Sequence, residues 1–404
     1  MVSLRIAIAG TRGVPPCYGG FETFAGELSR RLVERGHEVA VYCRDGESRG
    51  SRAISRSGLP QAVAPDKRPT TPDFWHGVER IVLPAVRHKY LETVSHTLIS
   101  SLDALRRNFD VILLCNAANA FVLPLLGAAR IPVAINVDGI ERHRRKWNVL
   151  GKAVYAIGES FSALFASRVV ADANVIAAYY HDRYGIEPVM IPYGAEFPVE
   201  DDSDVLVRLG LQSGNYILYV SRFEPENNPL EVVSAYETLG ERSGKRGVGA
   251  QRLPDPDSLP PLVMLGSAAY ARDLESRLHL HASRQILFPG SLFGADYRTL
   301  QRNALIYIQA TEVGGTHPAM IEAMASGGCV LAHDTPENRE VGGDAVGYFQ
   351  VRPSETLSGT LQEYLESPAE RAQMRIAARA RAGEKYGWTS VTDAYERLFA
   401  AIAR

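Results

Sequence analysis

Apolar and polar positions follow two rhythms along the first half of this chain. Residues 5–9, 38–42, 80–84, 111–115, 133–137 and 168–171 are short runs dominated by Ala, Val, Ile and Leu. Between them lie longer stretches with apolar residues at helical spacing, for example 21–35 and 96–108. Strands buried on both faces read as unbroken apolar runs, and amphipathic helices in the crossovers cover them. The pattern predicts a parallel sheet with helices on both faces. Gly36-His37 is a helix stop ahead of the second strand. Residues 46–77, rich in Ser, Arg and Pro, are expected to form an irregular loop.

Residues 191–198, IPYGAEFP, close this half with the Pro and Gly of a hinge or linker. The pattern then restarts. Strands are expected at 216–220, 262–265, 286–289, 305–309 and 330–332. The polar Gly/Arg/Pro stretch 240–261 reads as a surface loop interrupting this half. Residues 367–404 read as helical, with apolar periodicity over 370–381 and 391–402. No repeat with a period of roughly 20–50 residues is evident. The expected fold class is α/β, with two doubly wound domains facing across a cleft. Ligands in such sheets sit at the carboxyl ends of the strands.

Length agrees with two domains, since 404 residues exceed one ordinary core. A hydrophobic fraction of 46% and a charged fraction of 22% are those of a globular enzyme. No apolar run approaches the ~20 residues of a membrane span. The opening MVSLRIAIAGTRG enters a strand at once, without signal-peptide anatomy. Cys17, Cys43, Cys115 and Cys329 are scattered, so they are expected to be reduced thiols in a cytoplasmic protein and not a zinc site. The net charge of −2 hides an asymmetry: residues 1–194 carry +6 and residues 195–404 carry −8. A basic first half could meet an anionic partner, and ordinary solvated surface is the competing explanation.

Candidate chemistry begins at residues 5–27, RIAIAGTRGVPPCYGGFETFAGE. A strand stops at Gly10, a Gly/Pro-rich loop follows with Gly19 and Gly20, and a helix starts near Phe21. Strand, glycine loop and helix point backbone N–H groups at an anion. A tight turn without a ligand is the plain alternative, but a second signal of the same kind lies in the other half. In VSRFEPENNP, Arg222 follows a strand directly, where its guanidinium could grip a phosphate. In FPGSLFGADY, a strand end with two glycines suits contact with a base, and Leu292 is the candidate there. In TEVGGTHPAMIEAMASGGCV, Gly314-Gly315-Thr316 opens a helix after a strand. Glu322 lies about two turns along that helix, where a carboxylate can accept from ribose hydroxyls.

These segments together resemble glycosyltransferase family 4, with the GT-B architecture. The signs are YGGFE, IPYG, SRFEPENN and GGTHPAMIEAMASG. GTRGVP with YGGFET, NVDGIERHRRKW and EVGGT narrow the resemblance to a bacterial subfamily that includes rhamnosyltransferases of surface-polysaccharide assembly. The resemblance spans essentially the whole chain. It implies an N-terminal acceptor-side domain at 1–194, a nucleotide-sugar domain at 195–385, and a final helix at 386–404 crossing back to the first domain. It also implies retaining, metal-independent transfer from a nucleoside-diphosphate sugar, dTDP-rhamnose being the leading expectation, with no further cofactor. The acceptor would be a polysaccharide or lipid-diphosphate-linked glycan, and nucleic acid is not expected as a partner.

Position by position, Gly19 and Gly20 would line the donor diphosphate and sugar. Asp138, at the end of the 133–137 strand, stands where most members place a His. It would orient a sugar hydroxyl or assist proton transfer, or, in the plain reading, cap the next segment. Arg222 would hold the phosphates, Gly315 and Thr316 would contact phosphate or sugar through the backbone, and Glu322 would bind the ribose. Asn227 stands about where many relatives carry a Lys, so one phosphate-binding charge is missing. The first carboxylate of the usual E-x7-E pattern would fall at Gly314. Glu312, two residues earlier, is the candidate substitute, the alternative being that the role is absent. The basic run Arg142, Arg144, Arg145 and Lys146, beside Trp147, could face a lipid-diphosphate acceptor or the inner face of the plasma membrane.

Two other classes compete. A dinucleotide-dependent oxidoreductase or sugar-nucleotide epimerase lacks support, because the first loop reads G-T-R-G-V-P and no acid closes the second strand. A non-catalytic nucleotide-sugar-binding protein is kept in play by the departures at Gly314 and Asn227.

Overall fold

The computed structural model describes residues 3–16, 19–45, 73–86, 91–145, 147–196, 203–245, 259–268 and 271–403. The first domain is built on an eight-stranded sheet in the order β3-β4-β2-β1-β5-β6-β7-β8. Its strands are β1 (Arg5–Ala9), β2 (Glu38–Arg44), β3 (Asp73–Trp75), β4 (Val78–Leu83), β5 (Val111–Cys115), β6 (Val133–Asn136), β7 (Arg168–Ala171) and β8 (Val189–Met190). All pair in parallel except β3, which runs antiparallel to β4. The crossovers carry α1 (Gly20–Glu34), α2 (Glu92–Ala104), α3 (Leu123–Ala128), α4 (Val149–Phe165) and α5 (Asn174–Tyr184).

The second domain holds a six-stranded, all-parallel sheet in the order β11-β10-β9-β12-β13-β14. Its strands are β9 (Ile217–Val220), β10 (Leu262–Leu265), β11 (Ile286–Gly290), β12 (Ile306–Gln309), β13 (Val330–His333) and β14 (Gly347–Phe349). Its helices are α6 (Val205–Arg208), α7 (Pro229–Lys245), α8 (Arg272–His279), α9 (Gly294–Asn303), α10 (Pro318–Ala325), α11 (Pro336–Gly342), α12 (Ser354–Glu366) and α13 (Pro368–Lys385). The last helix is α14 (Trp388–Ile402). This sheet order reverses between β9 and β12, and the first reverses between β1 and β5. Such switch points leave a crevice at the carboxyl ends of the strands, where a ligand can enter.

Strands β5, β9 and β10 (VILLC, ILYV and LVML) are buried almost throughout, as apolar runs covered on both faces require. Several boundaries differ from the sequence expectation. Part of the expected 46–77 loop is a strand, because Asp73–Trp75 pairs with Val78–Glu79–Arg80 in a tight hairpin; residues 46–72 lie outside the described residues. Helix α7 continues to Lys245, into the expected 240–261 loop, and residues 246–258 are outside the description. Helix α2 begins and ends earlier than 96–108, running from Glu92 to Ala104.

The chain crosses between the domains twice, and the crossings touch. The Ala195 amide donates to Tyr386 O at 2.7 Å, and Ala195 bridges to Gly387. A Cβ on Gly194 would lie 2.3 Å from the Trp388 ring, so only glycine fits there. Helix α14 then packs on α1 of the first domain: Phe24 meets Trp388 at 6.3 Å and Tyr395 at 5.4 Å between ring centroids. One apolar cluster therefore runs through both domains, joining Phe24 and Leu28 of α1, Met320 and Ile321 of α10, and Tyr395 and Phe399 of α14.

Candidate functional site

A cleft of about 1100 Å³ separates the two sheets, lined by residues at the carboxyl ends of strands from both. The first domain contributes Gly19, Gly20, Asp138, Glu141 and Arg144. The second contributes Arg222, Asn227, Leu292, Gly314, Thr316 and Glu322. The glycine bend looks directly at the second domain: a Cβ on Gly20 would lie 3.2 Å from Pro318 Cγ, at the start of α10. Gly19 is the extended residue before α1, and its carbonyl accepts the Glu22 and Thr23 amides at 3.1 and 3.2 Å. Glu22 in turn accepts the Arg12 amide at 3.0 Å, which ties the loop to the first turn of α1.

Arg222 follows β9, with its guanidinium half exposed to the cleft and 3.6 Å from Glu224. The Asn227 side-chain amide donates to Arg222 O at 2.7 Å and so braces the turn that presents Arg222. Glu322 accepts from the Tyr297 hydroxyl at 2.6 Å, and Gln301 donates to the same Tyr297 oxygen at 2.8 Å. Burial raises the Glu322 carboxyl from 4.5 to about 7, against the Tyr297 hydrogen bond that lowers it. A carboxylate held at such a cost is a functional-site signal.

Asp138 follows β6, its amide braced by Asn136 Oδ1 at 3.2 Å. Asn136 is itself held by the Tyr395 hydroxyl of α14 at 2.9 Å. The 3₁₀ turn after Asp138, Glu141–His143, is preceded by Ile140, so Asp138 is not its cap. Burial, then the nearby Glu141, pushes the Asp138 carboxyl up to about 6. Its partner is Asp172, a fully buried residue just after β7 that the sequence reading did not single out. Burial and the adjacent Asp138 charge raise Asp172 well above the usual carboxyl range. Among the described residues no acidic, His or Cys cluster could hold a metal ion.

Asp172 changes the picture at Gly315 and Thr316. The Thr316 amide donates to Asp172 Oδ2 at 2.7 Å, and the Thr316 hydroxyl donates to Asp172 O. A Cβ on Gly315 would sit 2.1 Å from Asp172 Oδ1. The amide expected to meet a donor phosphate therefore meets a carboxyl from the opposite domain, and Gly315 is where that carboxyl comes closest. A second carboxylate spans the domains nearby, with Glu340 of α11 accepting the Asn174 and Val175 amides of α5 at 2.6 and 3.0 Å. His317, also unanticipated, lies between Gly314 and α10; burial and the Arg144 charge lower it to about 4, so it is neutral at physiological pH.

Two expectations are corrected. Glu312 does not line the cleft. Its carboxylate pairs with Arg145 and, at 3.1 Å, with Arg352, beside an adjoining cavity of about 720 Å³ bordered by both arginines. The basic run is not a free cationic patch either. Arg144 is buried, 2.6 Å from Glu141 and 3.6–3.7 Å from Glu224 and Glu226 of the other domain. Arg142 lies 3.5 Å from Glu159 and over the Tyr179 ring, Arg145 holds Glu312, and Lys146 lies outside the described residues. Apart from the local Arg144–Glu141 pair, the contacts that engage these arginines join distant segments, which no local pattern could disclose.

Two doubly wound domains closing on one cleft, with the terminal helix returning to the first, define the GT-B glycosyltransferase architecture. Residues 18–196 match the family model described as Glycosyltransferase Family 4, and residues 208–381 match that of Glycosyl transferases group 1. Together the two matches support a GT-B, glycosyltransferase-family-4-like protein. The fold is similar to sucrose-phosphate synthase from Thermosynechococcus elongatus, at 16% identity and a TM-score of 0.74 over 98% of this chain and 100% of that one. Anabaena HepE in complex with UDP and glucose superposes with a TM-score of 0.73 at 14% identity, over 99% and 100%. An α,α-trehalose-phosphate synthase (UDP-forming) from Burkholderia vietnamiensis gives 0.69 at 12%, over 99% and 100%. No curated protein matches the chain.

Proposed function

We propose that the protein moves a hexose or deoxyhexose from a nucleoside-diphosphate donor to a polysaccharide or lipid-diphosphate-linked glycan, with retention at the anomeric carbon. The observation that carries this reading is the cleft itself, with Arg222 and Glu322 facing Gly19 and Gly20 across it. Solved relatives of this fold in complex with UDP, or described as UDP-forming, support a nucleoside diphosphate as the leaving group. dTDP-rhamnose is the particular donor we favour, from the subfamily motifs. Residues 1–194 form the acceptor side, 195–385 the donor side, and 386–404 the returning helix.

In this reading Glu322 accepts from the ribose hydroxyls, and Leu292 packs near the base. The bond from the anomeric carbon to the diphosphate oxygen breaks, and charge gathers on the leaving phosphate. Arg222 and the amides beside Gly19 and Gly20 stabilise that charge as a fixed cation and preorganised dipoles, and the Thr316 amide joins them once the phosphate replaces its present partner. The acceptor hydroxyl oxygen attacks from the same face, and its proton passes to the departing phosphate oxygen. Asp138 orients a sugar hydroxyl beside that transfer. The phosphate takes the Thr316 amide in place of Asp172, whose carboxyl is already pushed toward its protonated form by burial and the adjacent Asp138.

The test is a panel of dTDP-, UDP- and GDP-sugars, followed by nuclear magnetic resonance of the released or transferred sugar. Nucleoside-diphosphate release with the anomeric configuration kept supports the reading. Inverted product, or no release from any donor despite tight nucleotide binding, overturns it.

A further inference from the structure

Helices α2 and α4 are inside out. In α4 the inward face carries Gly158, Glu159 and Ser162, all buried. Its polar side chains turn to partners within the protein: Glu159 Oε2 accepts from the Tyr179 and Tyr184 hydroxyls at 2.8 and 3.1 Å, and Ser162 donates to Gly158 O. The outward face is apolar. Leu150, Val154, Ile157 and Leu164 recur at helical spacing and are 73, 48, 56 and 72% exposed.

Helix α2 repeats the inversion. His96, Thr97, Ser100 and Ser101 are buried, with Thr97 donating to Asn119 Oδ1 at 2.7 Å and His96 meeting Cys43 O at 3.1 Å. Val94, Leu98 and Leu102 face outward, with Leu91 just ahead. Both helices pack against the 3₁₀ turn Ala117–Val122, so the two apolar stripes belong to one side of the first domain. An outward apolar stripe of this extent, twice over, marks an interaction surface.

Charge selects the occupant. Among the described residues from 91 to 168 no Asp or Glu is exposed, whereas Arg106, Arg130, Lys152 and Arg168 are. Apolar faces that lie flat, with exposed cations and no exposed acid, fit the interface of an anionic bilayer. No helix among the described residues is long and apolar enough to cross a membrane, so the fit is to the surface. The stripes also reach the cleft: Glu92 and Thr93 at the start of α2, and Trp147 and Tyr155 around the start of α4, line it.

We propose that the outward faces of α2 and α4 form a docking surface for an anionic lipid bilayer. Resting on the glycosyltransfer reading, we further infer that this surface delivers a lipid-anchored acceptor edge-on to the cleft. The surface is distinct from the Arg142–Lys146 run, whose described arginines are bound in ion pairs.

The experiment is flotation of the full chain with phosphatidylcholine vesicles, with and without phosphatidylglycerol, alongside the L150E/I157E/L164E variant. Circular dichroism and nucleoside-diphosphate binding report on the variant's fold, and donor hydrolysis is measured separately without lipid. Burying each such side chain is worth roughly tenfold or more in partition. The wild type should float with phosphatidylglycerol vesicles, and the folded variant should lose at least tenfold of that binding. Equal flotation of variant and wild type, or no flotation of the wild type, overturns the proposal. A wild type that dimerises in sedimentation while ignoring vesicles would assign the face to a second copy of the chain and overturn it too. Binding to vesicles without any donor chemistry would leave the surface standing and remove the glycosyltransfer reading instead.

Discussion

Replacing Glu322 by Gln should stabilise the unliganded protein above neutral pH while weakening its grip on nucleotide. Burial lifts the Glu322 carboxyl from 4.5 to about 7 in the folded chain. A pKa raised by folding contributes stability that is fully present below about pH 4.5 and is lost as pH rises through about 7. At roughly 1.4 kcal/mol per unit, ionisation of Glu322 costs the folded state about 3 kcal/mol near pH 8. Glutamine cannot ionise, yet its amide oxygen still accepts from Tyr297. The variant should therefore melt about 3–6 °C higher near pH 8, with the gain shrinking toward zero near pH 4.5. Calorimetry in the same buffers should show nucleoside-diphosphate affinity falling at least roughly tenfold, the value of about one lost charge-assisted hydrogen bond. Wild-type affinity should itself fall as pH drops through about 7, as the carboxylate becomes protonated. Equal melting temperatures near pH 8, or a gain independent of pH, would refute the reasoning.

Two further predictions concern the reacting centre. Arg222→Ala should lower turnover at least roughly tenfold, about 1.4 kcal/mol of transition-state stabilisation, with an unchanged circular dichroism spectrum; an unchanged rate would take Arg222 out of the site. Asp138, raised to about 6, should give wild-type turnover an acid limb near that pH, with activity falling as the carboxylate gains a proton. Asp138→Asn should lower turnover and flatten that limb, whereas an identical limb in the variant would assign it to another group.

Much of the architecture was legible because strands buried on both faces must be apolar throughout. Runs such as Val111–Cys115 and Leu262–Leu265 announce themselves. Strands β3, β8 and β14 did not, being two or three residues long and, in Gly347–Phe349, beginning on a glycine. The glycine bend and Arg222 could be picked out as candidates because the one opens a helix and the other follows a predicted strand, and Glu322 because it lies about two turns along the helix that Gly314-Gly315-Thr316 opens. Asp172 obeyed the same rule, standing directly after Ala171 at the end of β7, and was open to the same inference as Asp138. Its engagement with Thr316 was not, since that contact joins residues 144 positions apart. Glu312 sits apart from its expected place for a related reason: Arg145 and Arg352 pair with its carboxylate, and neither is its neighbour in the chain. In α2 periodicity finds the stripe but not which side of it faces the sheet. Buried partners for His96 and Thr97 decide that, and they come from other segments.

The most direct measurement is amide hydrogen exchange with and without a bound nucleoside diphosphate. The account predicts coincident protection of the glycine bend at 19–23, the Arg222 turn at 221–228 and the start of α10 at 315–322, because one ligand bridges both domains. Protection confined to one domain, or spread along the outer faces with the cleft segments unchanged, would contradict it.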